Sequence, residues 1–291
     1  MTNQPLLFWV FLAAQILLWI YIASCFNKDV FFNLYVHRAR TLLFKPVTFV
    51  QSIAPKCPDW VAAALLFVFA ILLHCAFAKA TNKPLFFKIG GNSHVLLANL
   101  KSLPASAGFS LMTFVLIICQ INVIRILMML RFGKWSKNAV VECLDTVCFP
   151  LSIPKLEVSA IATAVCLLGS TALMSMASAG SVGVTESGSM AVIPALVDKP
   201  LLALQFGILS IVDILLLLKS AIVALVIISI GGLLTGKLPI MGMANEWLSA
   251  FSRIFLKTPL VVGMFDLTPL LIYYLASFVH DILTGLVNGA F

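Results

Sequence analysis

Two histidines in apolar surroundings are the first candidates for chemistry. His74 follows Asp59 by 15 residues and His280 follows Asp266 by 14. If both helices run the same way, the two rings lie at a similar depth, about 21–23 Å along the axis at 1.5 Å per residue. Two membrane histidines at one depth could ligate a b-type haem axially. The structural alternative places each ring near the outer interface, where a histidine costs little.

Asp213 and Lys219 are the second candidates, because both interrupt the apolar region of residues 201–234. Ionisable side chains inside a membrane are costly and often functional, so one interpretation is a transport or proton-relay role. The two residues are six apart and therefore do not face each other on one helix. The alternative is that each pairs with another helix or lies at the interface.

Three acidic residues recur in one context: Asp59, Glu157 and Asp266 each follow a proline and precede an apolar run. A carboxylate at a helix N-terminus accepts hydrogen bonds from unpaired N–H groups and complements the helix dipole. Pro269 fits a first helical turn, where its missing N–H costs nothing. We predict capping for these carboxylates, ahead of a catalytic role.

Enzymatic motifs are absent from the sequence, which contains no P-loop, HExxH, GxSxG or glycine-rich dinucleotide turn. The seven cysteines form no CxxC pair, and no second pair or nearby histidine joins Cys143 and Cys148 in a tetrahedral metal site. Cysteines in apolar stretches commonly act as small hydrophobic residues. We therefore predict a protein that is not an enzyme and has no cofactor.

Composition indicates an integral membrane protein. Of the 291 residues, 62% are hydrophobic and 10% charged, against about 25% charged in a soluble domain. The net charge of +8 is typical of cytoplasmic membrane loops beside anionic lipid. Nucleic acid is not an expected partner, because the chain has no basic tail and no recognisable binding module.

Apolar runs predict an all-α polytopic protein with about six transmembrane helices. The runs are residues 6–26, 60–78, 108–130 and 158–179, one crossing within residues 201–234, and one from residue 267 to the end. The fifth region is too long for one perpendicular helix, so it is expected to tilt or to begin in the interface. Arg125, near one end of the third run, is expected to extend to the headgroups.

The spacing of these features predicts three repeats, each a membrane helix, an interfacial amphipathic helix and a second membrane helix. The units are residues 1–80, 108–180 (diverged) and 201–291, with linkers at residues 81–107 and 181–200. The acidic junctions are 98 and 109 positions apart. The alternative is that any polytopic protein carries basic, amphipathic loops.

The third amphipathic segment has an aromatic stripe of Trp247, Phe251 and Phe255 opposite Glu246 and Arg253. A helix with apolar and basic faces typically lies in the membrane interface. Aromatic residues dominate the energetics of buried interfaces, so we predict that this stripe docks against neighbouring membrane subunits.

Orientation follows from the distribution of Lys and Arg. Segments within the units carry 12 of these cations, and segments between the units carry five. The positive-inside rule then predicts cytoplasmic amphipathic segments and both termini outside.

The third unit carries a motif that resembles the YggT (YlmG) family of bacterial and plastid membrane proteins. The matching residues are Arg253, Lys257, Pro259, Gly263, Asp266, Thr268 and Pro269. Thr268 replaces the usual serine and keeps a capping hydroxyl. The first unit keeps Pro55 and Asp59 but lacks the glycines, and a third unit departs from the family's two-unit pattern.

The resemblance implies a bacterial inner-membrane protein that assists or organises other membrane proteins. Family members are linked to cell division, envelope processes and osmotic tolerance, and in plastids to nucleoid partitioning and haem attachment. The predicted function is a non-enzymatic accessory or assembly subunit, with the lipid bilayer and other membrane subunits as partners. A transporter or ion-flux element is the alternative, followed by a b-type haem electron-transfer subunit.

Overall fold

The computed structural model describes residues 6–26, 33–81, 85–91, 94–98, 103–132, 138–184, 190–193, 200–256, 258, 260–262 and 265–290. Lys134 of the middle amphipathic segment, and Lys257, Pro259 and Gly263 of the motif, lie outside this range. The described helices are α1 (Leu6–Phe26), α2 (Leu34–Ile53), α3 (Asp59–Ala80), α4 (Leu103–Phe132), α5 (Ala139–Val147), α6 (Leu156–Ala177), α7 (Pro200–Val212), α8 (Ile214–Leu234), α9 (Leu238–Phe255) and α10 (Thr268–Ala290).

The protein is mostly helical, and five of its described helical stretches are long and apolar enough to cross a membrane. They are Asp59–Ala80, Leu103–Phe132, Leu156–Met174, Leu204–Leu234 and Thr268–Ala290. The prediction of a mostly helical chain with apolar helices that could cross a membrane is confirmed, for five stretches rather than six, since Val10–Phe26 counts as a shorter apolar helix. A long helix precedes and follows each of the amphipathic helices α2, α5 and α9.

Short strands are the feature that the all-α prediction missed. β1 (Phe86–Ile89), β2 (His94–Ala98), β3 (Ser178–Val184) and β4 (Met190–Ile193) form an antiparallel sheet in the order β1-β2-β3-β4. It is built from the two predicted linkers, and Leu96 of β2 pairs with Ser181 of β3. β5 (Val261–Val262) and β6 (Phe265–Asp266) form a small hairpin before α10. Because β2 and β3 are far apart in the chain, local sequence patterns do not reveal their pairing.

Helices α8 and α9 form an antiparallel hairpin, with Gly236 at a φ of 67° in the turn between them. The hydroxyl of Ser229 donates to Asn245 Oδ1 at 2.8 Å. At Gly232 the helices approach so closely that a Cβ atom would lie 2.9 Å from Met241 N. The third amphipathic helix, α9, therefore packs along the C-terminal half of α8.

The amphipathic helices meet at one end of the bundle. Asn33 caps α2 and donates from Nδ2 to the carbonyl of Ala139 at the start of α5, at 2.7 Å. The Tyr35 ring packs edge-on against Trp247 of α9, with centroids 5.4 Å apart. Its hydroxyl donates to Glu246, and burial together with this carboxylate raises the pKa of Tyr35 above its ordinary value.

Candidate intramembrane site

The apolar region of residues 201–234 has a local irregularity at Asp213, between α7 and α8. The helical direction continues through it, because the Asp213 amide donates to the Leu209 carbonyl at 2.9 Å and the Asp213 carbonyl accepts from the Leu217 amide at 3.0 Å. Next to the irregularity the carbonyl of Ser210 accepts a hydrogen bond from Gln120 Nε2 of α4 at 2.9 Å. At membrane depth, backbone groups released by an irregular helix need such partners. The irregularity is therefore supported by a specific side chain from a neighbouring helix.

The Asp213 carboxylate is buried and makes three contacts. Its Oδ2 accepts from the amide of Gly90 at 2.8 Å, and its Oδ1 accepts from the amide of Gly91 at 2.9 Å. Both glycines lie in the turn after β1. The same Oδ1 atom is 3.1 Å from Nε2 of His280 on α10. Successive backbone amides in a turn form a concave site for anions, and here the anion is a side chain of the protein itself.

His280 lies between two carboxylates. Its Nε2 faces buried Asp213, and its Nδ1 is 3.2 Å from Oδ1 of Asp281, whose side chain is 80% exposed. The hydroxyl of Thr284 is 3.4 Å from Nε2. A neutral imidazole has one N–H donor and one lone pair, whereas the protonated ring has two donors. A neutral ring therefore donates a hydrogen bond to only one of the two flanking carboxylates. Both contacts are hydrogen bonds when one additional proton is present, either on the ring or on a carboxylate. We call Asp213, His280, Asp281 and Thr284 the acid–base site.

Further polar contacts continue along the seam between α7–α8 and α10. On one side of the site, Gln205 Nε2 donates to Asn288 Oδ1 at 3.1 Å. On the other, Lys219 Nζ lies 4.5 Å from the centroid of the Tyr273 ring. Gln205 and Lys219 are 14 residues apart, or about 21 Å along a helix. Asp213 and Lys219 thus contact different residues of α10.

The histidines are not arranged as a haem pair. His74 on α3 stacks on Phe11 of α1 with centroids 4.8 Å apart, and its Nδ1 is 3.4 Å from Ser110 Oγ of α4. His280 contacts a different group of elements, and both of its ring nitrogens face carboxylates. An axial ligand needs an accessible ring nitrogen, so this geometry does not fit the haem alternative. Within the described residues, no three His, Cys, Asp or Glu side chains are grouped to hold a metal.

Asp266 has the geometry of a helix cap. Its Oδ1 accepts from the Thr268 amide at 2.9 Å, and Thr268 Oγ1 accepts from the Leu260 amide at 2.7 Å. Pro269 follows in the first turn of α10. These bonds connect the β5–β6 hairpin to the start of the helix.

The other two predicted caps are placed differently. Asp59 is the first residue of α3, after Pro58 at the cap position, and its carboxylate accepts from Gln51 Nε2 at 2.7 Å. It therefore connects α2 to α3. Glu157 lies in the first turn of α6, where a negative charge complements the helix dipole.

Arg125 is buried, which corrects the expectation that it reaches the headgroups. Its guanidinium pairs with Asp145 of α5 and donates to Asn122 Oδ1 at 3.3 Å. Asn122 Nδ2 in turn donates to Ser159 and Thr163 of α6, at 3.2 and 2.6 Å. Burial raises the pKa of Asp145, with the Arg125 charge opposing the shift. This network connects α4 to both α5 and α6.

The aromatic stripe of α9 is largely covered within the protein. This contradicts the prediction that the stripe docks against neighbouring membrane subunits. Phe251 is only 5% exposed and belongs to an apolar core with Ile222 of α8 and Ile272 of α10. Trp247 packs between Phe251 and Tyr35. Phe255, at the end of the helix, is 39% exposed. The stripe is covered because α9 turns it toward the bundle.

Several residues around the acid–base site were not singled out by their sequence pattern. Gly90 and Gly91 are a turn signal, but nothing in the sequence connects them to a carboxylate more than 120 positions away. Gln120 and Thr284 are ordinary polar residues in apolar helices. Ser210 is fully buried, and its hydroxyl has no hydrogen-bond partner in the described part of the chain.

The chain matches no family model, no curated protein and no solved structure. The similarity to the YggT family therefore stays a prediction from the motif of the third unit.

Proposed function

We propose that the protein is a membrane ion-flux element in which Asp213 and His280 bind and pass a proton between α7–α8 and α10. One observation supports this proposal above the others: a buried carboxylate and an imidazole, each on a different candidate membrane span, lie 3.1 Å apart. No other buried acid–base contact between two membrane-crossing helices occurs among the described residues.

Membrane energetics favour a functional role for this contact. Placing an aspartate at the centre of a membrane helix costs about 2.5–3.5 kcal/mol on insertion scales, so such residues commonly mark ion or proton pathways.

The chemistry of the site is a relay through the imidazole. A proton on Asp213 Oδ1 is transferred to Nε2, while the proton on Nδ1 is transferred to Oδ1 of Asp281. The ring then carries its proton on Nε2, Asp213 is ionised, and Asp281 is protonated at the exposed side. Exchange of the imidazole between its two neutral tautomers resets the site. The two proton transfers take place across the contacts of 3.1 and 3.2 Å, and the reset requires a rotation of the ring that returns an N–H to the side of Asp281.

Proton flux into liposomes tests the proposal. Purified protein is reconstituted with a pH-sensitive dye inside the vesicles, and a potassium diffusion potential drives protons inward. We expect wild-type vesicles to acidify faster than empty vesicles, and Asp213→Asn and His280→Gln vesicles to acidify at the empty-vesicle rate. His74→Gln is the matched control, because His74 is a buried membrane histidine outside the site. Acidification by Asp213→Asn at the wild-type rate, or no flux through the wild type, would overturn the proposal.

A second candidate function, the accessory or assembly subunit, is supported by α2. Leu42, Phe49 and Ile53 form an exposed apolar row on this helix, next to a row that contains Arg38 and Lys45. A helix with one side on the bundle, an apolar row and a basic row is typical of the membrane interface. The same row could be covered by lipid tails or by a neighbouring subunit of a larger complex.

The recurring order of long, amphipathic and long helices supports an arrangement in three units. The YggT resemblance rests on the motif of the third unit, and with it we propose a bacterial inner membrane with α2, α5 and α9 on the cytoplasmic side. Changing Leu42 and Phe49 together to Ser should leave insertion intact but remove copurifying subunits in mild detergent. Phe255→Ser is the control on α9, and undiminished partners in the double variant would exclude this role for α2.

A further inference from the structure

We propose that the tip of the β1–β2 hairpin, Gly90 and Gly91, is a latch that closes the acid–base site while Asp213 is ionised. Protonation of Asp213 releases the latch and opens the site toward the sheet. The role of the latch in flux depends on the proposed function, but its attachment and release are properties of the hairpin that can be measured separately.

The latch depends on the charge of the carboxylate. Both oxygens of Asp213 accept an amide hydrogen bond from the tip, at 2.8 and 2.9 Å. Hydrogen bonds to an ionised acceptor are roughly twice as strong as bonds between neutral groups. A protonated carboxyl group still accepts hydrogen bonds, but it has lost the charge that strengthens them. Protonation therefore weakens both tip bonds.

The tip also covers the imidazole. Gly90 and Gly91 have φ angles of 63° and 71°, in the left-handed region that favours glycine. A Cβ atom added at Gly91 would lie 2.9 Å from Cε1 of His280, so the backbone of the tip is in van der Waals contact with the ring. Ile89 and Leu96 beside the tip are fully buried. The hairpin thus forms an apolar wall with two amides at its end.

The Asp213 carboxylate accepts backbone hydrogen bonds from the two tip amides, and the side chains around it decide how strongly it holds them. The polar side chains grouped with Asp213 are His280, Asp281 and Thr284 of α10. Other charged or polar residues on the surrounding elements are Lys219 of α8, which lies over Tyr273, Gln120 of α4, which donates to the Ser210 carbonyl, and Lys88 of β1, two residues before the tip. α6 also packs on α7, and its one charged residue, Glu157, lies in its first turn, at the far end from β3. Removing the Asp213 charge therefore weakens the two hydrogen bonds that join the tip to Asp213.

The rest of the sheet can stay in place when the tip moves. β2 continues to pair with β3 along its length, from His94 to Ala98. β3 is joined directly to the end of α6, and β4 pairs with β3 on the other side. Release therefore requires motion of Gly90, Gly91 and the adjacent end of β1, without separation of the sheet.

Hydrogen–deuterium exchange of the full-length protein in nanodiscs measures the latch directly. In peptides that contain Gly90 and Gly91, we expect Asp213→Asn to raise the exchange rate of the tip amides about tenfold over wild type, because the asparagine keeps the shape of the side chain but not its charge. Glu157→Gln removes a carboxylate outside the site and should leave these peptides unchanged. Equal tip exchange in wild type and Asp213→Asn would overturn the latch.

A pair of glycine variants tests the latch without changing its charges. Gly91→Ala places a methyl group against His280, whereas Gly236→Ala has a similar backbone conformation, with a φ of 67°, and nothing within 4 Å of the added carbon. We expect faster tip exchange and faster proton flux only in Gly91→Ala. Unchanged tip exchange in Gly91→Ala would also overturn the latch. Because exchange does not require transport, vesicles without proton flux but with a charge-dependent tip would exclude the proposed function and retain the latch.

Discussion

Replacing Phe251 by alanine tests whether the aromatic stripe of α9 is part of the core. Phe251 is 5% exposed and packs against Trp247 with ring centroids 5.7 Å apart. Phe255, one helical turn later on the same stripe, is 39% exposed. The two residues have the same chemistry and the same helix, so the second is a matched control for the first.

The expected losses follow from burial. Full burial of a phenylalanine contributes about 1.5–3 kcal/mol, and the cavity left by truncation raises the total for Phe251→Ala to about 3–5 kcal/mol. Phe255 buries roughly three-fifths of its surface and leaves no enclosed cavity, so Phe255→Ala should cost about 1–2 kcal/mol.

The free energy of unfolding in mixed detergent micelles measures both variants against the wild type. A loss for Phe251→Ala that is at least about twice the loss for Phe255→Ala supports a stripe that faces the bundle. Equal losses, or a larger loss for Phe255→Ala, would contradict a stripe that faces the bundle and would restore it as a contact surface for another subunit.

Three further predictions concern other parts of the chain. Arg125→Ala should cost about 1–3 kcal/mol in thermal unfolding, because it leaves the buried Asn122 Oδ1 atom without this donor, while Asp145 is 35% exposed and partly solvated. Exposed Arg131→Ala should change stability by about 0.5 kcal/mol or less; similar losses would contradict a buried network. Burial raises the pKa of the Cys143 thiol to about 12. A maleimide at pH 8 should therefore leave Cys143 unmodified in the folded protein but label partly exposed Cys57, and peptide masses measure both. Asp266→Asn should keep most of the α10 cap, whereas Asp266→Leu should lose about 0.5–2 kcal/mol; unfolding midpoints compare them, and equal losses would contradict capping.

Helix positions were predictable because they depend on neighbouring residues. The uncharged run from Leu6 to Phe26 coincides with α1, and the apolar run that begins at Trp60 is α3, one residue after its acidic start. A backbone in hydrocarbon has to satisfy its own hydrogen bonds, so a long apolar run has few alternatives to a helix. The amphipathic character of α2, α5 and α9 is likewise visible from periodicity.

The sheet and the polar networks could not be predicted in the same way. β2 pairs with β3 from another linker, and Arg125 is paired with Asp145 rather than extended to the headgroups. Long side chains can either reach the membrane surface or pair inside a bundle. The choice depends on which helix packs beside them, and that information is not contained in the local sequence.

Asp213 separates the two kinds of information most clearly. That an aspartate lies within an apolar region is visible from the residue order, and such a residue is unusual in a membrane helix. Its partners depend on the packing of the chain, since the amides of Gly91 and Gly90 and the His280 ring come from positions 122, 123 and 67 residues away. A buried carboxylate needs hydrogen-bond donors within about 3 Å, and only the packing of the hairpin and α10 around the helix irregularity determines which donors are that close.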